Sequence, residues 1–286
     1  MEFSHQRTIA ESSLEYGRGI AGGLIFSLPL LYTMEVWWAG FLLDPWRILL
    51  YVLATFALLL LYNRFAGLRR DATFPEVVID SIEEMGLGLV IAAFTLWLTG
   101  QLDLQSGTNE ITGKVVMEGM TVAIGVSVGT SQLGANEDGD EGMGGPAGKD
   151  EGEYLPQVAI ALCGAVLFAA NVAATDEVMI IAMVSSPERI LAMAVVSILG
   201  AAWTLSYSRM HGADRHVRRE TRMEHFREVV TTYAVALAGG AGCLFFFGRF
   251  DGQPLWLAFA MCVVVGVPAS LGASAGRLLL QSRSPS

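Results

Sequence analysis

Lysine is nearly missing from this chain of 286 residues: of 18 basic residues, only Lys114 and Lys149 are lysines. Neither falls at the middle of an apolar run. A lysine Schiff base inside a membrane, the basis of rhodopsin-like photochemistry, is therefore disfavoured. Cysteine is scarce too. Cys163, Cys243 and Cys262 all lie within apolar runs, where they read as small buried hydrophobes rather than disulfide partners. The four histidines, His5, His211, His216 and His225, sit in polar segments, and no CxxC or HExxH spacing occurs. A transition-metal site has no support, no cofactor is expected, and no nucleophile–histidine pair falls in an apolar run. Charged residues make up only 16% of the chain.

What remains is apolar. Hydrophobic residues reach 53% and the mean hydropathy is +0.49, too high for an ordinary soluble domain of this size. A spanning helix needs roughly 20 mostly apolar residues. Eight runs qualify, at about 18–42, 46–66, 75–99, 114–134, 155–184, 188–208, 227–248 and 254–279. The fold class is accordingly all-α, a polytopic membrane protein. The first sixteen residues are polar and no small-residue cleavage site follows the first run, so no cleavable signal is expected.

The chain also repeats itself. Residues 22–49 align without a gap onto 164–191. Gly22 falls on Gly164, Phe26 on Phe168, Thr33 on Thr175, Glu35 on Glu177, Val36 on Val178, Pro45 on Pro187, and Arg47-Ile48-Leu49 on Arg189-Ile190-Leu191. Weaker matches extend it: Phe74-Pro75-Glu76-Val77-Val78 onto Phe226-Arg227-Glu228-Val229-Val230, and Gly125-Val126 onto Gly266-Val267. An internal repeat sets the architecture. The reading is two parallel four-helix repeats, 1–134 and 154–286, about a pseudo-twofold along the membrane normal. The segment 135–153, ANEDGDEGMGGPAGKDEGE, has the composition of a disordered linker between them. Its acids do not follow the calcium-loop spacing.

Arginine sets the orientation. Arg7 and Arg18, then Arg64, Arg69 and Arg70, then the stretch 209–227 with six arginines, then Arg277 and Arg283 all fall on one face if there are eight spans. That face should be cytoplasmic. The expected location is the cell inner membrane, multi-pass, with both termini inside. Only Arg47, Lys114, Arg189 and Arg249 occupy the opposite connections.

A charged side chain at the centre of a spanning helix costs about 2.5–3.5 kcal/mol on insertion scales. Carboxylates in apolar runs therefore carry the functional argument. Glu35 precedes Trp37 and Trp38, which read as an interfacial belt. Asp176 and Glu177 occupy the matching depth in the second repeat, with no adjacent cation in sequence. Glu118 lies one turn into the fourth run. All four are expected in the outer half of the bundle, with Asp176 and Glu177 facing the interior. A second group, Glu76, Asp80, Glu83 and Glu84, makes a stripe on the inner half of the third run. Thr33, Thr175, Thr121, Ser127, Thr130 and Ser131 add hydroxyls between these levels, and Asn171 stands where the first repeat has Pro29. Carboxylate and hydroxyl oxygens suit hard cations and protons. Interfacial salt bridges and headgroup contacts are the plainer alternative, above all for Glu76 and Asp80.

The stretch GRGIAGGLIFSLPLLYTMEVWW, continued by DPWRILLY, resembles an uncharacterised family of bacterial integral membrane proteins known only as a domain of unknown function. The resemblance implies a membrane protein over most of the chain outside the linker and carries no activity with it. The leading expectation is a cation or proton channel or carrier, with Glu35, Asp176 and Glu177 at the site. A membrane-embedded enzyme or lipid-handling protein, or a non-transporting scaffold or sensor, is the alternative. Expected partners are the lipid bilayer and cations or protons. Homo-oligomerisation stays open, and no nucleic acid is expected.

Overall fold

A computed structural model describes residues 9–66, 73–103, 105–133, 154–211 and 222–281. The acidic linker 135–153, the 212–221 part of the basic stretch, His5 and His216 lie outside the described residues. Ten helices follow one another: α1 (Ile9–Leu31), α2 (Met34–Leu42), α3 (Pro45–Ala66), α4 (Phe74–Leu98), α5 (Thr108–Leu133), α6 (Tyr154–Ala173), α7 (Asp176–Val184), α8 (Pro187–His211), α9 (Arg222–Phe246) and α10 (Leu255–Gln281). No strand occurs among the described residues.

Six of these helices are long and apolar enough to cross a membrane, over Pro45–Ala66, Thr108–Ser131, Leu155–Ala173, Pro187–Ser206, His225–Phe246 and Leu255–Arg277. The other two expected spans are helical, in α1 and α4, but do not meet that measure.

The expected spans 18–42 and 155–184 are not continuous helices. Both break at a threonine, Thr33 and Thr175, whose backbones are extended at φ −101°, ψ 107° and φ −85°, ψ 151°. The Thr175 hydroxyl donates to the Val172 carbonyl at 2.9 Å. Just before it, the Asn171 amide donates to the Leu167 carbonyl at 2.6 Å. Side-chain bonds of this kind offer the backbone an alternative to the helical ladder. Beyond each break stands a nine-residue helix, α2 or α7, about 14 Å long at 1.5 Å per residue and too short to cross a bilayer. Met34–Leu42 and Asp176–Val184 are offset by the same 142 residues as the sequence repeat, as are the first residues of α3 and α8, Pro45 and Pro187.

Each group of five helices wraps one member. In the first, α5 is packed by α1, α2, α3 and α4; in the second, α10 is packed by α6, α7, α8 and α9. Glycine makes the closest approaches. Gly22 meets Gly129, and in the second group Gly164 meets Gly272, so closely that a Cβ at any of them would run into backbone. Small residues let helices pack in lipid, where no hydrophobic drive joins them.

The two groups meet unequally. Leu58, Leu59 and Tyr62 of α3 pack in one apolar cluster with Ile160, Cys163 and Leu167 of α6. Near the start of α3, Trp46 and Tyr51 contact the rings of Phe245 and Phe246 at the end of α9. Arg47 forms a two-pronged ion pair with Asp251, from Nη1 to Oδ2 and from Nη2 to Oδ1 at 3.0 Å. The counterpart of α3 is α8, whose main neighbours are α9 and α10 of its own group. A twofold junction would use matching surfaces on both sides. The contact of α1 with its own counterpart α6 is of that kind, and it stands beside those of α3 with α6 and α9.

Candidate functional site

The four connections α2–α3, α4–α5, α7–α8 and α9–α10 form what is termed here the Arg47 face; the opposite end is the Arg277 face. At the Arg47 face, ion pairs tie the connections together. Besides Arg47 and Asp251, Arg249 pairs with Asp176 and Lys114 pairs with Glu110 at 2.6 Å. Lys114 also donates to the Gln101 carbonyl at 3.1 Å.

The sequence left Asp176 and Glu177 without a counter-charge. The fold supplies one: Arg249, from the turn after α9, reaches the Asp176 carboxylate. The Asp176 side chain is 58% exposed and Glu177 is exposed beside it. The expectation that this pair faces the protein interior is corrected accordingly. Both acids stand in the first turn of the short helix α7, where negative charge complements the helix dipole. Glu35 is half-buried in the first turn of α2, the equivalent place. Thr33 and Thr175 are the residues at which the helices break. Asn171 is spent on its own helix.

Glu118 lies deeper than its place in the apolar run suggested. Helix α5 begins at Thr108, so Glu118 is about 15 Å from the helix start rather than one turn in. It is fully buried, and neither carboxylate oxygen has a hydrogen-bond partner among the described residues. Trp37, expected at the interface with Trp38, is instead 7% exposed, whereas Trp38 is 49% exposed. The Trp37 indole N–H is near enough to act on the Glu118 carboxyl but falls short of hydrogen-bond geometry. Lys114 precedes Glu118 by one helical turn, yet its ammonium turns away to Glu110 and Gln101.

Below Glu118, toward the Arg277 face, further polar groups follow on α5. The Thr121 hydroxyl bonds the Tyr51 phenol in a buried short contact of 2.5 Å. Next comes a cluster around Asn63 of α3. Its amide donates to the Glu84 carboxylate at 2.7 Å and to the Ser81 hydroxyl at 3.1 Å, and its carbonyl accepts from Ser127 at 3.0 Å. Asn63, Ser81 and Ser127 are all buried. Last, Tyr62 bonds Ser131 at 2.6 Å. Because Gly88 of α4 packs on Gly119 and Ala123 of α5, Glu84 and Glu118 are about 10 Å apart along the helix axes.

The rest of the expected stripe on α4 divides by role. Glu76 closes a capping box with Thr73, accepting from its backbone N–H at 2.7 Å. Asp80 is half-buried and Glu83 exposed, with the Tyr16 hydroxyl donating to Glu83 at 3.4 Å. Glu84 reaches the buried Asn63 of α3. Sequence reasoning missed Trp37, Tyr51, Asn63 and Ser81. An asparagine inside the apolar run ALLLLYNRF was the available signal.

The second group of helices holds a different polar site. Arg277, 3% exposed, donates to Thr232 at 2.6 Å and Gln157 at 2.9 Å and pairs with Glu228 at 3.5 Å. No group of three or more metal-ligating side chains occurs among the described residues.

A family model, that of the DUF2391 integral membrane proteins of unknown function, matches residues 15–280. No curated protein and no solved structure matches the chain.

Proposed function

The chain belongs to the DUF2391 family of integral membrane proteins, and on that premise we propose that it carries protons or a small hard cation through its first group of helices. The observation that carries the reading is Glu118: a fully buried carboxyl, mid-helix, with no hydrogen bond and no ion pair among the described residues. A buried charge without a partner costs several kcal/mol. Two things relieve that cost, a proton on the carboxyl or a cation against it, and in this reading that proton or cation is the cargo. Intramembrane acids of this kind mark ion pathways and proton relays.

Glu84 is the second station. Its carboxylate is held by Asn63, so it is oriented where Glu118 is not. Between them the Tyr51–Thr121 pair offers hydroxyls that both donate and accept, the property a relay needs. The ion-paired Asp176, with Glu177 and Glu35, belongs in this reading to the rim of the Arg47 face, where acids gather cations. The arginine-rich opposite face is the cytoplasmic one under the positive-inside rule.

The test is flux in proteoliposomes under H+, Na+, K+ and Ca2+ gradients. Wild-type flux of one of these ions, reduced at least tenfold by Glu118→Gln, supports the proposal. Silence of the wild type in all four gradients overturns it.

A further inference from the structure

Arginine supplies nearly all the positive charge of this chain, and Lys114 is the only lysine among the described residues. It stands between two acids of α5, Glu110 one helical turn before it and Glu118 one turn after. Side chains four residues apart on a helix are neighbours. One ammonium is therefore within reach of both carboxyls with no movement of the backbone. In the structure it rests on Glu110 at 2.6 Å, with the Gln101 carbonyl at 3.1 Å and the Phe41 ring centre 5.6 Å away. Glu118, fully buried, has no hydrogen bond among the described residues.

Helix α2 covers both positions. Gly40 packs on the backbone at Gly113, Phe41 lies against Lys114, and Trp37, one turn earlier, approaches Glu118. The seam between α2 and α5 thus has the Lys114 ammonium at its outer end and Glu118 at its inner end. The other helix group lacks all three charges. Counted from the Gly22–Gly129 and Gly164–Gly272 contacts, Glu110, Lys114 and Glu118 correspond to Gln253, Leu257 and Met261, of which Leu257 and Met261 are buried. The three charges stand together in one half and are absent together from the other.

The choice of lysine matters. Its ammonium is a compact point charge on a flexible four-carbon stem, whereas the planar fork of arginine favours a fixed bidentate pair, such as Arg47 makes with Asp251. A lysine can change partners by turning its side chain.

We propose that Lys114 is the resident counter-ion of Glu118, and that the cargo is a singly charged cation, the proton included. The inference rests on the reading of Glu118 as the cargo site. When Glu118 is ionised and holds no cargo, the ammonium crosses one turn to it. Arrival of a proton or cation at Glu118 returns the ammonium to Glu110. In both states one positive charge neutralises the buried carboxyl, which left alone is costly. Glu110 has a side chain 35% exposed, so its carboxylate can be left to water at small cost. A divalent cation does not fit this exchange. Against one carboxyl it leaves a net positive charge buried, and Glu84 is about 10 Å away along the helix axes, too far to share it.

The experiment uses the full chain carrying Lys149→Arg, so that Lys114 is its only lysine, isotope-labelled at the lysine Cε and read by NMR in nanodiscs. Glu118→Gln imitates the occupied carboxyl and should hold the Lys114 signal at its Glu110 position. Glu110→Gln should move the signal to a second position. Adding Glu118→Gln or Glu118→Met to Glu110→Gln should abolish that second position. A signal that responds to Glu110→Gln identically with and without the change at Glu118 overturns the pairing. This readout needs no flux, so it stands apart from the test of Glu118 as cargo site. In proteoliposomes the wild type should carry H+, Na+ or K+ and not Ca2+. Lys114→Leu, the residue of the other half, should lower that flux at least tenfold, because nothing then displaces the cargo. Undiminished flux in Lys114→Leu overturns the counter-ion role. Ca2+ flux that depends on Glu118 overturns the charge rule and leaves Glu118 the cargo site. A wild type silent in every gradient overturns the cargo reading, and the charge rule with it, but not the pairing.

Discussion

The two halves of this molecule share a scaffold and differ in what they bury. In the first, Trp37 and Glu118 lie together; counted from the equivalent contacts Gly22–Gly129 and Gly164–Gly272, the second has Met179 and Met261 there. Where the first half has Tyr51 and Asn63, the second has Met193 and Leu205. Met261 is as fully buried as Glu118, so the position accepts a thioether without loss of the packing around α10. The scaffold does not require a carboxylate there. A buried acid that costs free energy to bury, at a place that a methionine fills in the other half, points to work done by the group itself. That is why the first half, rather than the acids common to both halves, is the candidate site.

Exchanging residues between halves is the way to break this comparison. Met261→Glu should do most harm: it puts an unpaired acid where no role awaits it. The expected loss is about 3 kcal/mol, read as a lower midpoint in thermal unfolding in detergent; an unchanged midpoint would mean that Glu118 carries no cost either. Glu118→Met, the reverse exchange, should raise stability by about 1–3 kcal/mol, the desolvation penalty of an unsatisfied buried polar group, while abolishing flux. Such opposed effects on stability and activity are common at working sites. Loss of stability on this exchange would mark Glu118 as structural.

Tyr51→Phe deletes the buried hydroxyl contact with Thr121 and should cost about 1 kcal/mol, with flux reduced more than the fold is weakened. If flux holds at the wild-type level, the relay does not pass through this pair. Smallest should be Asp176→Asn. The backbone of its partner Arg249 is bonded within the turn, and the aspartate side chain is 58% exposed, so the pair should contribute about 0–1 kcal/mol. A larger loss would restore Asp176 to the centre of the site.

Much of the fold was legible in the sequence for physical reasons. Spanning helices must be apolar over their whole length, which left α3, α5, α6, α8, α9 and α10 plain. The repeat was readable because Glu35 and Glu177 stand out of apolar surroundings at a fixed offset. The breaks at Thr33 and Thr175 were not, because threonine is common in continuous spanning helices and its bond to the Val172 carbonyl is a local choice. The site was misweighted for a similar reason. Depth was counted from where hydrophobicity begins, but α5 begins at Thr108, above its polar residues Glu110 and Lys114. That put Glu118 too near the surface. Asp176 seemed uncompensated only because Arg249 arrives from 73 residues away in sequence. Trp37 and Trp38 are adjacent, yet helical geometry turns one inward and leaves the other out.

The most direct measurement compares proteoliposomes of the wild type with those of Glu118→Gln, which preserves shape and removes only the ionisable proton. Ion flux should be present in the first and fall at least tenfold in the second, with both proteins equally folded and monodisperse. Equal flux in the two, for any ion that the wild type carries, would contradict the assignment of Glu118 as the group that holds the cargo.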